Sequence, residues 1–311
     1  MNRKTLLILF GIFITLGVAA SFPFWREQAG LMQPTPSQAE LDFSVFTKDN
    51  TGKIVIVKQG EEKKVLERKD GVWMIDTFEA APKTVDTFFD SMKSLKVGAL
   101  VSKNKNNFSG FGVGDEGYEV TFFENAKETS FVIGSSGSSF GSFYARKKDG
   151  ANVYLVEGKL SDTLSQAVSF WRDKVFLKVS SDEIGKIEIV SKTTPLTLVK
   201  TQDGKWQAES SGKKAVLEEG LAKRLTEALG SLEGSDFLSK EQEAEFRSAG
   251  GKTILRLSDN SGKKFAEVQL LKKESDWWAV AEGRPFAYKV PAYRLSDILL
   301  TSEQAFDGGK K

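Results

Sequence analysis

Residues 54–75 read IVIVKQGEEKKVLERKDGVWMI, and this stretch decides the fold. Ile54–Val57 is a short β-branched run, Val65-Leu66 a second and Trp73-Met74-Ile75 a third. Asp70-Gly71 is a residue pair suited to a tight reversal between the last two. The reading is a three-stranded meander. Pro82 then opens a helical pattern in which Val85, Phe88, Phe89, Met92 and Leu95 recur at spacings of three and four, so one face is buried. After a glycine-rich connection, four more strands are predicted at Tyr118–Phe123, Ser130–Ile133, Phe143–Arg146 and Val153–Val156. Leu160, Leu164, Ala167, Val168 and Trp171 predict a closing amphipathic helix.

The same programme runs a second time, offset by roughly 133 residues. Ile187–Val190, Leu196–Lys200, an Asp203-Gly204 turn and Trp206 repeat the meander, with Trp206 in the place of Trp73. Leu217, Leu221, Leu225, Ala228, Leu229 and Leu232 predict the helix. Strands follow at Thr253–Leu257, Phe265–Leu270, Trp277–Ala281 and Ala287–Val290, and Leu295 and Ile298 begin a final short helix. Hairpins with a few helices, lacking regular strand–helix alternation, predict an α+β fold of two tandem, duplicated units of antiparallel sheet.

The N-terminal segment sets the expected address. Arg3 and Lys4 precede an uncharged, mostly apolar run from Thr5 to Trp25, with no further charge until Arg26. About 21 residues at ~1.5 Å each span the ~30 Å hydrocarbon core of a bilayer. A cleaved signal peptide, using Ala19, Ala20 and Ser21, is the competing reading; the run is long for one, and Phe22, Phe24 and Trp25 suit a membrane interface. The expectation is a single-pass membrane anchor over 1–26, with a cytoplasmic N-terminus and everything beyond it extracytoplasmic. Pro34 and Pro36 mark a stalk over 27–40. The first unit is expected over 41–178, the second over 179–303, and a polar tail over 304–311.

Composition removes function classes. The 311 residues include no cysteine and no histidine, which excludes disulfides, a lipid-bearing cysteine, thiolate metal sites and the usual Ser-His-Asp triad. Forty-four basic against 42 acidic residues give a net charge of +2, too balanced for a nucleic-acid partner. No cofactor and no metal site are expected.

The remaining motifs have plain readings. Gly112-Val113-Gly114-Asp115-Glu116-Gly117 matches G-x-G-x-x-G but lies between a polar segment and a strand, where a dinucleotide site needs a strand before and a helix after. Gly137-Ser138-Ser139-Phe140-Gly141 matches G-x-S-x-G, yet no histidine is available as base and a strand follows. It reads as a flexible hairpin loop, and Ser138, Ser139 and Phe140 are candidate partner contacts. Trp277 and Trp278 are adjacent in a strand, so their rings face opposite ways and one is a candidate exposed binding ring. Trp171, Arg172, Asp173 and Lys174 lie between the repeats as a candidate domain junction. Asp115-Glu116, Asp182-Glu183 and Glu218-Glu219 are adjacent acids, which does not place two carboxylates around one substrate.

Trp73-Met74-Ile75, Phe111-Gly112-Val113, Ile133-Gly134, Tyr144-Ala145-Arg146, Val153–Val156 and Arg172-Asp173-Lys174 occur in an order that resembles the bacterial family called domain of unknown function 4340. The resemblance runs from Trp73 to Phe237. Gly114-Asp115 departs from it, standing where the family has a proline, and the second unit keeps only Phe246 there. The resemblance implies an N-terminal anchor in a bacterial cell membrane and an accessory role beside ABC-type transport or gliding-motility components, and it supplies no catalytic residues. The expected function is a non-enzymatic, membrane-tethered extracytoplasmic binding or scaffold module for an envelope protein such as a transporter component. The alternatives are a glycan or cell-wall binding module and a hydrolase working with carboxylates alone.

Overall fold

The computed structural model describes residues 40–125, 127–192 and 195–306. The expected anchor over 1–26, nearly all of the stalk and the end of the tail lie outside the described residues. Among the described residues no helix is long and apolar enough to cross a membrane. Two compact units are present: the first comprises described residues 40–76 and Lys83–Ala167, the second Thr77–Pro82 and the chain from Val168 onward.

The first sheet contains β1 (Lys53–Val57), β2 (Lys64–Lys69), β3 (Val72–Ile75), β4 (Phe78–Glu79), β5 (Lys96–Ser102), β6 (Tyr118–Glu124), β7 (Lys127–Ser136), β8 (Ser142–Lys147) and β9 (Val153–Glu157). Its order is β4-β3-β2-β1-β6-β7-β8-β9-β5. Alternate residues of these strands face one side, burying Ile54, Ile56, Leu66, Ile75, Val120 and Phe122. The helix Pro82–Ser94 buries Val85, Phe88, Phe89 and Met92. Phe122 is fully buried among rings, 4.3 Å from Phe46, 6.2 Å from Phe131 and 6.3 Å from Phe88.

The second sheet contains β11 (Lys186–Val190), β12 (Leu196–Lys200), β13 (Trp206–Ser210), β14 (Lys213–Val216), β16 (Asp236–Phe237), β17 (Thr253–Ser258), β18 (Lys264–Lys273), β19 (Asp276–Ala281) and β20 (Ala287–Pro291). The order β14-β13-β12-β11-β17-β18-β19-β20-β16 is that of the first sheet, counterpart for counterpart. Register agrees too. Ile54 faces Leu66 and Phe122, as Ile187 faces Leu198 and Leu257. Arg68 faces Trp73, as Lys200 faces Trp206. The Arg68 amide donates to the Gly52 carbonyl, as the Lys200 amide does to that of Gly185.

The structure departs from the sequence reading in several places, among them the strands β4, β5, β14 and β16, which the sequence reading lacks. The predicted helix through Leu160 and Trp171 is two, Leu160–Leu164 and Val168–Trp171. The Ser165 hydroxyl and the Gln166 amide side chain both donate to the Asp162 carbonyl, which closes the first helix. The boundary between units falls after Ala167 and not at 178/179, because β10 (Val175–Lys178) pairs with β15 (Ser231–Glu233) inside the second unit. A helix at Lys240–Ser248, absent from the sequence reading, starts on a capping box between Ser239 and Gln242.

One cation lies in the first core. Lys64 is 3% exposed, and its ammonium donates to the Leu164 carbonyl at 3.0 Å and lies 3.6 Å from the Glu61 carboxylate. Lys64 faces Ile56 where, in the second unit, Leu196 faces Ile189. Lys64→Ala is expected to lower stability by about 2 kcal/mol, through lost packing and an unmatched carbonyl. Lys64→Leu, which copies the second unit, is expected to cost about half as much because packing is restored. Urea unfolding of both variants checks the ordering.

Candidate functional site

The loop between β7 and β8 is the most exposed of the expected contact residues. The Gly137 amide donates to the Ser142 carbonyl at 2.8 Å, and the Ser142 hydroxyl donates to the Ser139 carbonyl at 2.6 Å. The Ser139 hydroxyl donates in turn to the Ser142 hydroxyl at 3.0 Å. Gly141 takes φ +71°, a turn conformation that favours glycine. Ser138 and Ser139 are exposed at this tip, and the Phe140 side chain stands wholly in solvent. The G-x-S-x-G match thus sits in a strand-to-strand turn, without the strand-to-helix elbow that presents a nucleophile.

The two tryptophans of β19 are covered. Trp278 is 7% exposed and packs with Leu238, Phe246 and Ala287, with the Lys273 ammonium 4.7 Å from its ring centroid. Trp277 faces the other way, half-buried against the main core of the second unit. Phe246 comes from the helix Lys240–Ser248, so the residue that shields Trp278 belongs to an element missing from the sequence reading.

Residues 171–174 hold the segment Thr77–Pro82 within the second unit. The Ala81 amide donates to the Trp171 carbonyl at 2.7 Å and the Asp173 amide to the Glu79 carbonyl at 2.8 Å. The Arg172 guanidinium lies 4.0 Å from the Phe78 ring centroid, and Phe78 stacks on Phe286 at 3.9 Å. The Lys174 carbonyl accepts from the Gly234 amide. Trp171 itself is fully buried.

Several of the family-like residues, between Phe111 and Val153, converge on a small cluster in the first unit. Val113, Val132 and Val153 are buried together, with Phe108, Phe111 and Tyr144 packed against them. The Arg146 Nε donates to the Val113 carbonyl at 2.7 Å, and its guanidinium lies 4.2 Å from the Phe108 ring centroid. Burial lowers the pKa of Arg146. Gly112, at φ +64°, ends the turn Ser109–Phe111, and Gly134 of β7 lies directly against this loop. The G-x-G-x-x-G match is therefore packed loop leading into β6.

Polar chemistry gathers at the start of β6. The Tyr118 hydroxyl donates to the Glu61 carboxylate at 2.8 Å, and the Lys58 ammonium lies 2.9 Å from the same carboxylate. Burial pushes Glu61 up, but the bonds from Lys58 and Tyr118 outweigh it and hold the carboxyl below its ordinary 4.5. The bond to Glu61 raises Lys58 above 10.5, and burial raises Tyr118 above 10.0. Glu61 thus contributes stability above its unfolded pKa that is lost as pH falls through the lowered value; Lys58 and Tyr118 contribute stability that is lost as pH rises through theirs. The urea midpoint is expected to be flat at neutral pH and to fall below pH 4.5 and above pH 10.5. Glu61→Gln is expected to shallow both declines; unchanged slopes would refute the assignment.

The hydrolase alternative calls for two converging acids, one of them with a raised pKa. Glu61, Asp203, Glu241, Asp259 and Glu267, the carboxyls with displaced pKa among the described residues, are all displaced downward. A glycosidase acid needs the opposite shift. Among the described residues no group of three or more acids could hold a metal ion.

Two hollows lie in the second unit. One of about 250 Å³ is lined by Phe246, Arg284 and Phe286. The larger, about 670 Å³, opens between the Lys200–Trp206 hairpin and the helix Glu219–Leu229, over Trp206, Leu217, Ala222 and Thr226. Trp206 itself, in the place of Trp73, is 6% exposed and belongs to the core of the second unit.

No curated protein and no solved structure matches the chain. A family model described as domain of unknown function (DUF4340) matches residues 73–249, beginning at the tryptophan of β3 and ending just past the helix that carries Phe246. The chain belongs to the DUF4340 family.

Proposed function

We propose that the chain is a non-enzymatic, membrane-tethered extracytoplasmic module that binds or scaffolds an envelope protein complex, such as an ABC-type transporter. The observation that carries the reading is Phe140, a large apolar side chain wholly in solvent at a hairpin tip whose shape is held by its own hydrogen bonds. An ordered tip of this kind offers an anchor at low entropic cost to a partner. The uncharged run Thr5–Trp25 supports the tether, and the bacterial membrane address rests on the family resemblance. A glycan module calls for an exposed ring, and of the two candidates Trp278 is buried and Trp277 half-buried.

The test is in situ cross-linking of the full-length protein in its native membrane, followed by purification in mild detergent. A transporter or other envelope subunit is expected at near-stoichiometric yield. Phe140→Ala is expected to leave stability within about 0.5 kcal/mol and to reduce capture at least tenfold, as for a central anchor. Repeated absence of an envelope subunit would overturn the reading.

A further inference from the structure

The chain enters the first unit at one end of its sheet and presents Phe140 at the other. Glu40 fixes the entry. Its Oε2 accepts from the Asn152 side-chain amide at 2.7 Å and from the Tyr154 hydroxyl at 2.8 Å. A methyl built on Gly150 would lie 2.9 Å from the Glu40 Oε1, so this carboxylate sits against the turn between β8 and β9. The residues that follow enter the core, with Leu41, Phe43 and Phe46 each no more than 3% exposed. The Phe43 ring lies 4.7 Å from Phe131, and Phe131 of β7 faces Lys147 at the end of β8. Carboxylate and ring thus fasten the chain to the same end of the hairpins.

Phe140 lies at the opposite end. In the antiparallel pair β8 and β9, Ala145 faces Tyr154 and Ser142 faces Glu157. The β7–β8 turn therefore sits beyond Glu157, where the Gly158 amide donates to the Gly141 carbonyl at 2.8 Å. The path from Asn152 to Gly158 is about 20 Å of strand at ~3.3 Å per residue. Residues 26–39 separate the apolar run Thr5–Trp25 from Glu40. A flexible chain of that length averages about 20 Å between its ends and reaches at most about 50 Å. The end held by Glu40 is accordingly the one kept near the bilayer. To bring the tip down instead, the tether must lengthen enough to lift Glu40 by the whole length of the hairpin.

The chemistry of the tip agrees with its position. Residues 137–142 carry no charge, and Phe140 is their one large apolar side chain. At the base of the tip Glu157 faces Lys96. Burying one phenylalanine is worth ~1.5–3 kcal/mol, a marginal hold on a lipid surface, where binding grows with apolar area and cationic charge. In a fitted protein pocket the same ring is an anchor, around which the serine hydroxyls and the turn backbone can add polar contacts.

We infer that Phe140 docks into a pocket on the extramembrane domain of a protein partner, at the end of the first unit away from the tether, and not into the bilayer. The inference deepens the proposed function and rests on it for the tether and for Phe140 as the anchor.

The absence of cysteine allows single labels. Full-length Ser138→Cys and Asp149→Cys, both at exposed positions, carry a donor fluorophore in vesicles whose lipid headgroups carry the acceptor. Quenching is expected to be at least about twofold stronger at 149, because position 138 lies ~20 Å further along the strands. Equal quenching, or stronger quenching at 138, overturns the inference. In the native membrane, benzoylphenylalanine in place of Phe140 keeps an aromatic ring there, and its photo-adduct is located by mapping the cross-linked peptide. The expected adduct lies on an extramembrane segment of an envelope protein. An adduct on lipid, on a membrane-spanning segment or on a second copy of this chain overturns the inference, as does no adduct at all. Thermal melting verifies that each variant is folded. General cross-linking separates the two claims. An envelope subunit captured while position 140 marks lipid leaves the binding-module reading standing and removes the inference. No captured subunit removes that reading and the docking claim with it, whereas the order of quenching still reports which end faces the bilayer.

Discussion

Phe122→Ala is expected to cost the first unit about 3–5 kcal/mol and to lower its melting temperature by roughly 10 °C or more. Phe122 is fully buried on β6, with Phe46 at 4.3 Å on one side and Phe131 and Phe88 at just over 6 Å. Truncation removes the apolar area that holds these rings together and leaves a void they can fill only in part, since each is fixed by its own strand, helix or loop. The second unit provides a control. Leu257 faces Ile187 as Phe122 faces Ile54, so Phe122→Leu puts a side chain native to that register into the first core. It is expected to cost about 1 kcal/mol. Urea unfolding of both variants decides the matter: equal costs, or a cost below about 1.5 kcal/mol for the alanine variant, would mean that this ring cluster does not organise the first core.

What could be read from the sequence follows from how each element declares itself. The strands around Ile54, Trp73 and Phe122 are legible because β-branched and aromatic residues alternate with polar ones, and the sheets bury alternate positions. The edge strand β5 reads Lys-Val-Gly-Ala-Leu-Val-Ser and pairs with β9 through two register shifts, so it shows no period of two. β16 is two residues long and too short to leave a pattern. The helix Lys240–Ser248 buries only Phe246, so hydrophobic periodicity misses it, although its capping box is written in the sequence.

The candidate sites divide in the same way. Glycine and serine around Phe140 mark a loop tip, and a loop tip it is. Adjacency of Trp277 and Trp278 gives opposite faces but says nothing of what covers each, and Trp278 is covered by a helix whose sequence is mostly polar. The hollow beside the Lys200–Trp206 hairpin is harder still, because its walls come from a turn, a strand and a helix that lie far apart in the sequence. Several of the family landmarks between Phe111 and Val153, by contrast, meet in one packed cluster around Val113.

That cluster makes Gly134→Ala the second large effect, at about 3 kcal/mol, the upper end of ordinary overpacking. A methyl at Gly134 would lie 2.6 Å from the Val113 Cγ1 and 2.9 Å from the Gly112 carbonyl carbon, and closer still to the Phe111 carbonyl oxygen. Two of these three neighbours are backbone, so no rotamer change relieves them; the loop Phe111–Val113 must lift off β7. Lifting it would also disturb the Val113 carbonyl that accepts from Arg146 and the Phe108 ring beneath the guanidinium. Gly110, in the same loop, has open space where its methyl would go and does not require positive φ. Gly110→Ala is expected to change stability by no more than about 0.5 kcal/mol. The contrast separates steric fit from chain entropy, because both substitutions restrict the unfolded chain alike. Thermal melts in which Gly110→Ala is as damaging as Gly134→Ala would show that the loop tolerates neither and that the close approach at Gly134 is not what the motif protects. Melts in which Gly134→Ala alone falls would give the Phe111-Gly112-Val113 and Ile133-Gly134 landmarks a common physical cause: a loop pressed onto a strand at a distance only glycine permits.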